Sequence, residues 1–221
     1  MHPLTPDWYR PRSELKKIDN ISAIIGTGVD NIKVIENFIS DEECATAMKI
    51  ISNLPVNFEA THSYPIHTHK DYRGPYENEK AFGIMMGKRM VETAEKLYGL
   101  TLVRDQMFLY IVHPKGTYID PHTDILDIDN PDYENDTYES QLERFPYLWS
   151  GHLSILTYLN DEYEGGELYF PELDYAIRPK KGMIITFPGN LHYVHGVASI
   201  TEGVRYTLSQ WSKFVDFKPR G

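Results

Sequence analysis

The chain has one cysteine, Cys44, no apolar run long enough to cross a membrane, and too little basic charge: 22 Lys and Arg face 32 Asp and Glu, a formal net charge of −10 over 221 residues. A lone thiol cannot close an internal disulfide, so the core must hold the fold, and a reducing compartment is expected. A bilayer crossing needs about 20 consecutive apolar residues. The N-terminal MHPLTPDWYRPRSELKK also lacks the apolar stretch of a secretion signal. A cytoplasmic protein with no membrane partner is the expectation. The acidic balance argues against an extended phosphate-binding face, so no nucleic-acid partner is expected either.

What the chain does have is His122 and Asp124, written Pro-His-Thr-Asp, with His195 73 positions later and Arg205 ten beyond that. Residues two apart on a strand project from one side and can reach the same ion. Two imidazoles and one carboxylate can occupy a triangular face of an octahedral iron(II) ion and leave the opposite face open. A His-x-Asp triplet recurs by chance, and its surroundings give it weight. From Gly151 the chain reads HLSILTYLN, ELYF, YAIRP, MIITFP, YVHGV and RYTLSQW, separated by Gly-, Pro- and Asn-containing turns. Short β-branched and aromatic runs at this frequency predict a sandwich or barrel. Arg205, Thr207, Ser209 and Trp211 alternate on one face of the last run, and a guanidinium there can hold a carboxylate by a planar two-point contact.

The front of the chain reads as helical support. Ser40 and Glu43 form a capping-box pattern, followed by Cys44, Ala47, Met48, Ile51 and Leu54 at helical spacing, which predicts a helix over 41–53. A second helix is predicted over 79–98, with Phe82, Met86, Met90, Ala94 and Tyr98 along one line and Gly99 ending it. Two long polar stretches interrupt this pattern. Residues 57–78 form an aromatic, His-rich loop containing His62, His67 and His69, read as polar and as a candidate substrate-contacting loop. Residues 125–150 carry seven acids against Arg144, read either as a solvated flap or as a lid that favours basic or neutral substrates. His152 reads as structural or surface-exposed.

From about Ile32 to Trp211, and most densely from Tyr110, the chain resembles the iron(II)/2-oxoglutarate-dependent oxygenases, in their prolyl 4-hydroxylase-like branch. The motifs are FLYIVHPKGTYIDPHTD, ILTYLND, GGELYFPE, IRPKKGMIITFP and the His195, Arg205 and Trp211 positions. The resemblance implies an α+β, mainly β fold: a double-stranded β-helix (jelly roll, cupin-like) core with two or more α-helices packed on the major sheet. It implies His122, Asp124 and His195 as the catalytic metal ligands, and Arg205, Tyr158 and Tyr110 as the residues that hold 2-oxoglutarate. Fe(II), 2-oxoglutarate as cosubstrate and O2 follow, with ascorbate a candidate reductant. The implied reaction couples decarboxylation of 2-oxoglutarate, to succinate and CO2, to hydroxylation of an unactivated C–H bond.

The branch favours a peptidyl proline, with Tyr118 and Trp211 as aromatic walls for the pyrrolidine ring. The alternatives are a free amino acid or other small-molecule substrate, or a non-oxygenase cupin-like metal-binding protein. Nucleic-acid demethylation fits less well, because Trp211 stands where those members carry a second arginine. The segment before His122 is one residue longer than in related hydroxylases, so His113 competes with Tyr110 for the cosubstrate-facing place; Tyr110 is preferred. His192 competes with His195 and would stand thirteen residues from Arg205, so His195 is preferred. Gly196 replaces a proline common after the second histidine, which predicts a looser turn. The domain reading is an N-terminal extension or edge segment over 1–31 and one oxygenase domain over 32–221, of open oligomeric state.

Overall fold

A computed structural model describes residues 2–5, 26–53, 66–68, 77–124 and 153–214. The expected flap at 125–150, His62, His69, His152 and most of the 57–78 loop and of the first 31 residues lie outside them.

Helix α1 (Asp41–Asn53) begins where the capping pattern places it. The Glu43 amide donates to Ser40 Oγ at 3.2 Å, and the Ser40 amide donates to a Glu43 carboxylate oxygen at 2.9 Å. Two orphan donors of the first turn are thereby satisfied reciprocally. Helix α2 (Glu77–Tyr98) ends at Gly99, whose φ of 65° is a left-handed conformation that a residue with a Cβ enters at a cost. Its stripe of Met86, Met90 and Ala94 is fully buried, with Phe82 and Tyr98 packed at its ends. Arg89 of α2 bonds Glu43 of α1 at 2.5 Å and stacks on Phe38, joining the helices.

The strands are β1 (Lys33–Ile35), β2 (Ile66–Thr68), β3 (Leu102–Pro114), β4 (Ile119–His122), β5 (Leu153–Tyr158), β6 (Tyr163–Gly165), β7 (Leu168–Phe170), β8 (Tyr175–Ile177), β9 (Ile184–Pro188), β10 (His195–Val197) and β11 (Ile200–Phe214). They form a seven-stranded sheet ordered β1-β9-β5-β11-β3-β2, with β6 also on β11, and a four-stranded sheet ordered β4-β10-β7-β8. Every pairing is antiparallel. This is the mainly β double-stranded β-helix, with both helices applied to the outer face of its major sheet.

Period-two alternation splits each major-sheet strand between two cores. Phe108, Tyr110, Leu153, Ile155 and Leu208 pack under the helices. Tyr158, Ile185 and Phe187 turn the other way and meet Leu168 and Phe170 of the minor sheet. Residues just before β1 are tied into this inner core: Asn31 Nδ2 donates to the buried Tyr193 hydroxyl at 3.1 Å, which donates to the Gly28 carbonyl at 3.1 Å.

Candidate active site

Antiparallel pairing of β4 with β10 puts His122 directly opposite His195, and Asp124 lies two residues past His122. The ligand atoms of His122, Asp124 and His195 all lie within 4.8 Å of one another, a spacing that can hold one metal ion. His122 Nε2 is 3.5 Å from one Asp124 oxygen and His195 Nε2 is 3.7 Å from the other. The ring orientations have a backbone cause. His122 Nδ1 donates to the Asp120 carbonyl at 2.8 Å and His195 Nδ1 to the Tyr193 carbonyl at 3.0 Å. A carbonyl only accepts, so each ring keeps its hydrogen on Nδ1 and turns the Nε2 lone pair toward the carboxylate.

The charge states suit a metal. Burial lowers His195, outweighing the pull of Asp124, and brings its pKa down to about 4. Burial raises the Asp124 carboxyl, but His195, His122 and the Ser154 hydroxyl outweigh it and hold the group well below the usual carboxylate range. Near neutral pH the His195 ring is therefore neutral and the carboxylate ionised. Side-chain exposure falls from 32% at His122 to 12% at Asp124 and 5% at His195, so the cluster opens to solvent on the His122 side. Phe187, 4.6 Å from the His195 ring between centroids, closes the other side.

The cluster and Arg205 line one cavity, whose remaining wall includes Leu109, Ile111, Leu156, Leu168 and Val197. Thr207, Ser209 and Trp211 run along it on β11, on the face the alternation predicts. Arg205 is 2% exposed, and no carboxylate pairs with it among the described residues. Its Nη2 donates to the Tyr158 hydroxyl at 3.2 Å, and its Cζ stands 4.9 Å from the centre of the Tyr158 ring. A buried guanidinium without a counter-ion is costly unless an anion completes it.

Two expected residues are placed elsewhere. Tyr110 is buried on the helix side of β3, against Phe108 at 5.2 Å between centroids, because the odd-numbered residues Leu109, Ile111 and His113 face the cavity. The cavity-facing place at this end of the strand is taken by His113, whose Nδ1 lies 3.2 Å from Arg205 Nη1. Tyr118 is 43% exposed and lies outside the cavity lining, where its neighbour Ile119 stands instead. Among the histidines it is His195, not His192, that joins the cluster.

Gly196 lies inside β10 rather than in a turn. A Cβ there would meet the Tyr169 ring at 2.5 Å and the Ile119 carbonyl at 2.8 Å, so the glycine admits an aromatic side chain between strands. Ser154, whose hydroxyl donates to Asp124, went unread in the sequence; it shares the inward parity of Leu156 and Tyr158, which was the available signal.

Comparison with known proteins agrees with this geometry. Residues 106–213 match the family model of the 2OG-Fe(II) oxygenase superfamily. Human prolyl 3-hydroxylase 2 is 40% identical over 63 residues, which are 26% of this chain and 9% of that protein. Human prolyl 3-hydroxylase 3 is 33% identical over 88 residues, 38% of this chain and 12% of that protein. The chain thus spans only a small part of these relatives' length. In structure it resembles the viral collagen prolyl hydroxylase of Paramecium Bursaria Chlorella virus-1, with a TM-score of 0.59 at 20% identity, covering 84% of this chain and 97% of that one. A Pseudomonas putida prolyl-4-hydroxylase gives 0.55 at 16% identity, covering 91% and 100%. The fold and the His-Asp-His cluster agree with that family match, which makes the chain similar to the 2OG-Fe(II) oxygenase superfamily over just under half of its length.

Proposed function

We propose that this chain is a hydroxylase that consumes O2 and 2-oxoglutarate, releases succinate and CO2, and inserts one oxygen atom into a C–H bond of a peptidyl proline. The observation that carries the reading is the pairing, in one cavity, of the His122, Asp124 and His195 cluster with a buried Arg205 that has no carboxylate partner among the described residues.

Two histidines and a carboxylate fit a ferrous ion in donor type, and their 4.8 Å spread suits a single centre. Iron, when bound, supplies the oxygen-activating chemistry that no side chain here can provide. The rest falls to the protein. Two neutral rings and one carboxylate would leave a divalent site with net positive charge, which attracts the 2-oxo acid end of a dianion. Arg205 would grip the far carboxylate, with Tyr158 placed beside it. The aliphatic wall of Leu109, Ile111 and Leu156 keeps water from the cosubstrate between these poles. Trp211, on the cavity side of β11, would stand toward the substrate.

A peptidyl proline is favoured by the relatives named above, and they divide over the carbon attacked. Human prolyl 3-hydroxylases 2 and 3 are similar to part of this chain in sequence, which favours C3 as a second reading beside C4. The test is succinate release with Fe(II), ascorbate and 2-oxoglutarate, with and without proline-rich peptides, followed by mass spectrometry and NMR of the peptide. Peptide-stimulated turnover with a gain of one oxygen supports the reading, and the NMR assigns the carbon. Turnover stimulated only by free amino acids would replace the substrate; no succinate at all would remove the activity.

A further inference from the structure

The preceding reading gives His113 no work, yet the fold aims it at the anion-binding end of the cavity. In the pairing of β3 with β11, His113 stands directly opposite Arg205, and both side chains turn inward. Each is buried, His113 at 1% and Arg205 at 2% exposure. The contact between His113 Nδ1 and Arg205 Nη1 at 3.2 Å has only one chemical solution. A guanidinium nitrogen donates and never accepts, so Nδ1 must carry the lone pair and the ring hydrogen must sit on Nε2. Burial, and then the neighbouring positive charge, hold His113 well below the usual histidine range, in keeping with a neutral ring.

Tyr158 sits on the other arm of the same guanidinium and differs in what it has left to give. Its oxygen accepts from Nη2 at 3.2 Å, so its own hydrogen is still available for an anion. His113 has no hydrogen on the nitrogen that meets Arg205. The two contacts therefore divide the labour: both fix the guanidinium plane, and the tyrosine keeps its hydroxyl hydrogen for the anion at the very atom that meets Arg205. Among the described residues the Arg205 Nε hydrogen has no hydrogen-bond partner, so the guanidinium keeps donor capacity for a ligand.

We propose that His113 is a positioning residue for the distal carboxylate of 2-oxoglutarate: as a neutral Nδ1 acceptor it fixes the Arg205 guanidinium without competing for the anion. This rests on the cosubstrate reading above.

The test has two independent readouts. In calorimetric titration of the Mn(II)-loaded protein with 2-oxoglutarate, His113→Phe removes the acceptor and should weaken binding about tenfold, the usual size for a hydrogen bond to a charged group. Mn(II) affinity should be unchanged, and His113→Gln, whose amide oxygen accepts, should recover most of the loss. Parent-like binding by His113→Phe, or no recovery by His113→Gln, overturns the proposal. Separately, nitrogen NMR of the unaltered, histidine-labelled protein should show a neutral His113 with its hydrogen on Nε2 at neutral pH, whether or not the phenylalanine variant folds. An Nδ1-protonated ring or an imidazolium refutes it. A parent protein that binds Mn(II) but not 2-oxoglutarate would instead sink the cosubstrate reading, and the NMR result would still report on the His113–Arg205 contact.

Discussion

At the scale of single residues, the two ends of the cavity should fail differently. His122→Ala or Asp124→Ala removes one of three ligands and should abolish both metal retention and turnover. Arg205→Ala should leave metal binding intact and raise the KM for 2-oxoglutarate; metal analysis beside steady-state kinetics separates the two, and equal behaviour of all three variants would refute the division. Ser154 acts through Asp124: its hydroxyl donates to the oxygen that faces His195. Such supporting partners typically change metal affinity by about 10- to 100-fold. Ser154→Ala should therefore lower Mn(II) affinity by about tenfold or more in a direct titration, with a near-parental fold by circular dichroism. The His122, Asp124 and His195 cluster was legible because these residue types are rare together and the spacing of the first two is fixed by strand geometry. The cavity-facing residue at the Arg205 end of β3 was not, because the register of β3 against β11, far along the chain, decides which parity turns inward and puts His113 rather than Tyr110 beside Arg205.

At the scale of elements, the helices were read most closely. The capping box starts α1 at Asp41 as predicted, and Gly99 stops α2; α2 begins at Glu77, two residues earlier than the apolar stripe suggests. Local chemistry at helix ends is written in adjacent residues, whereas strand order is set by partners far along the chain, such as Arg205 with His113 and Trp211 with Ser154. The short strand β10 shows what such pairing demands. It lies between β4 and β7 and carries His195 at its first position. Gly196→Ala would drive a methyl into the Tyr169 ring at 2.5 Å and the Ile119 carbonyl at 2.8 Å, and the backbone oxygen cannot swing away as a side chain can. Overpacking of this kind costs about 1–3 kcal/mol. Urea unfolding should show that loss, metal affinity should fall with it because β10 must shift, and in a Tyr169→Ala background the same change should cost less. A fully stable Gly196→Ala protein would mean that the sheets part more easily than their packing indicates.

At the scale of the whole molecule, the buried histidines tie stability to pH. His113 is held well below the ordinary histidine value of 6.5, by burial first and then by Arg205, and His195 is lowered to about 4, by burial first. In the unfolded chain both rings titrate near the ordinary value, so between pH 6.5 and about 4 the unfolded state binds more protons than the folded one. The sign follows: metal-free stability is fully present above pH 6.5 and falls as the pH drops toward 4, with each ring contributing a slope of up to about 1.4 kcal/mol per pH unit. The depressed Asp124 carboxyl acts in the same direction below the ordinary carboxylate value of 3.8, where the unfolded chain takes up its proton first. A divalent ion would bind His195 only in its neutral form, so metal would add stability that scales with its concentration over its dissociation constant and is itself lost on acidification. Urea midpoints of the metal-free protein should therefore drop between pH 7 and 5, more shallowly for His113→Gln than for the parent, and Mn(II) should raise the midpoint at pH 7 more than at pH 5. A flat midpoint across this range would mean that neither ring is buried in its neutral form, and the charge assignment of both ends of the cavity would fall with it.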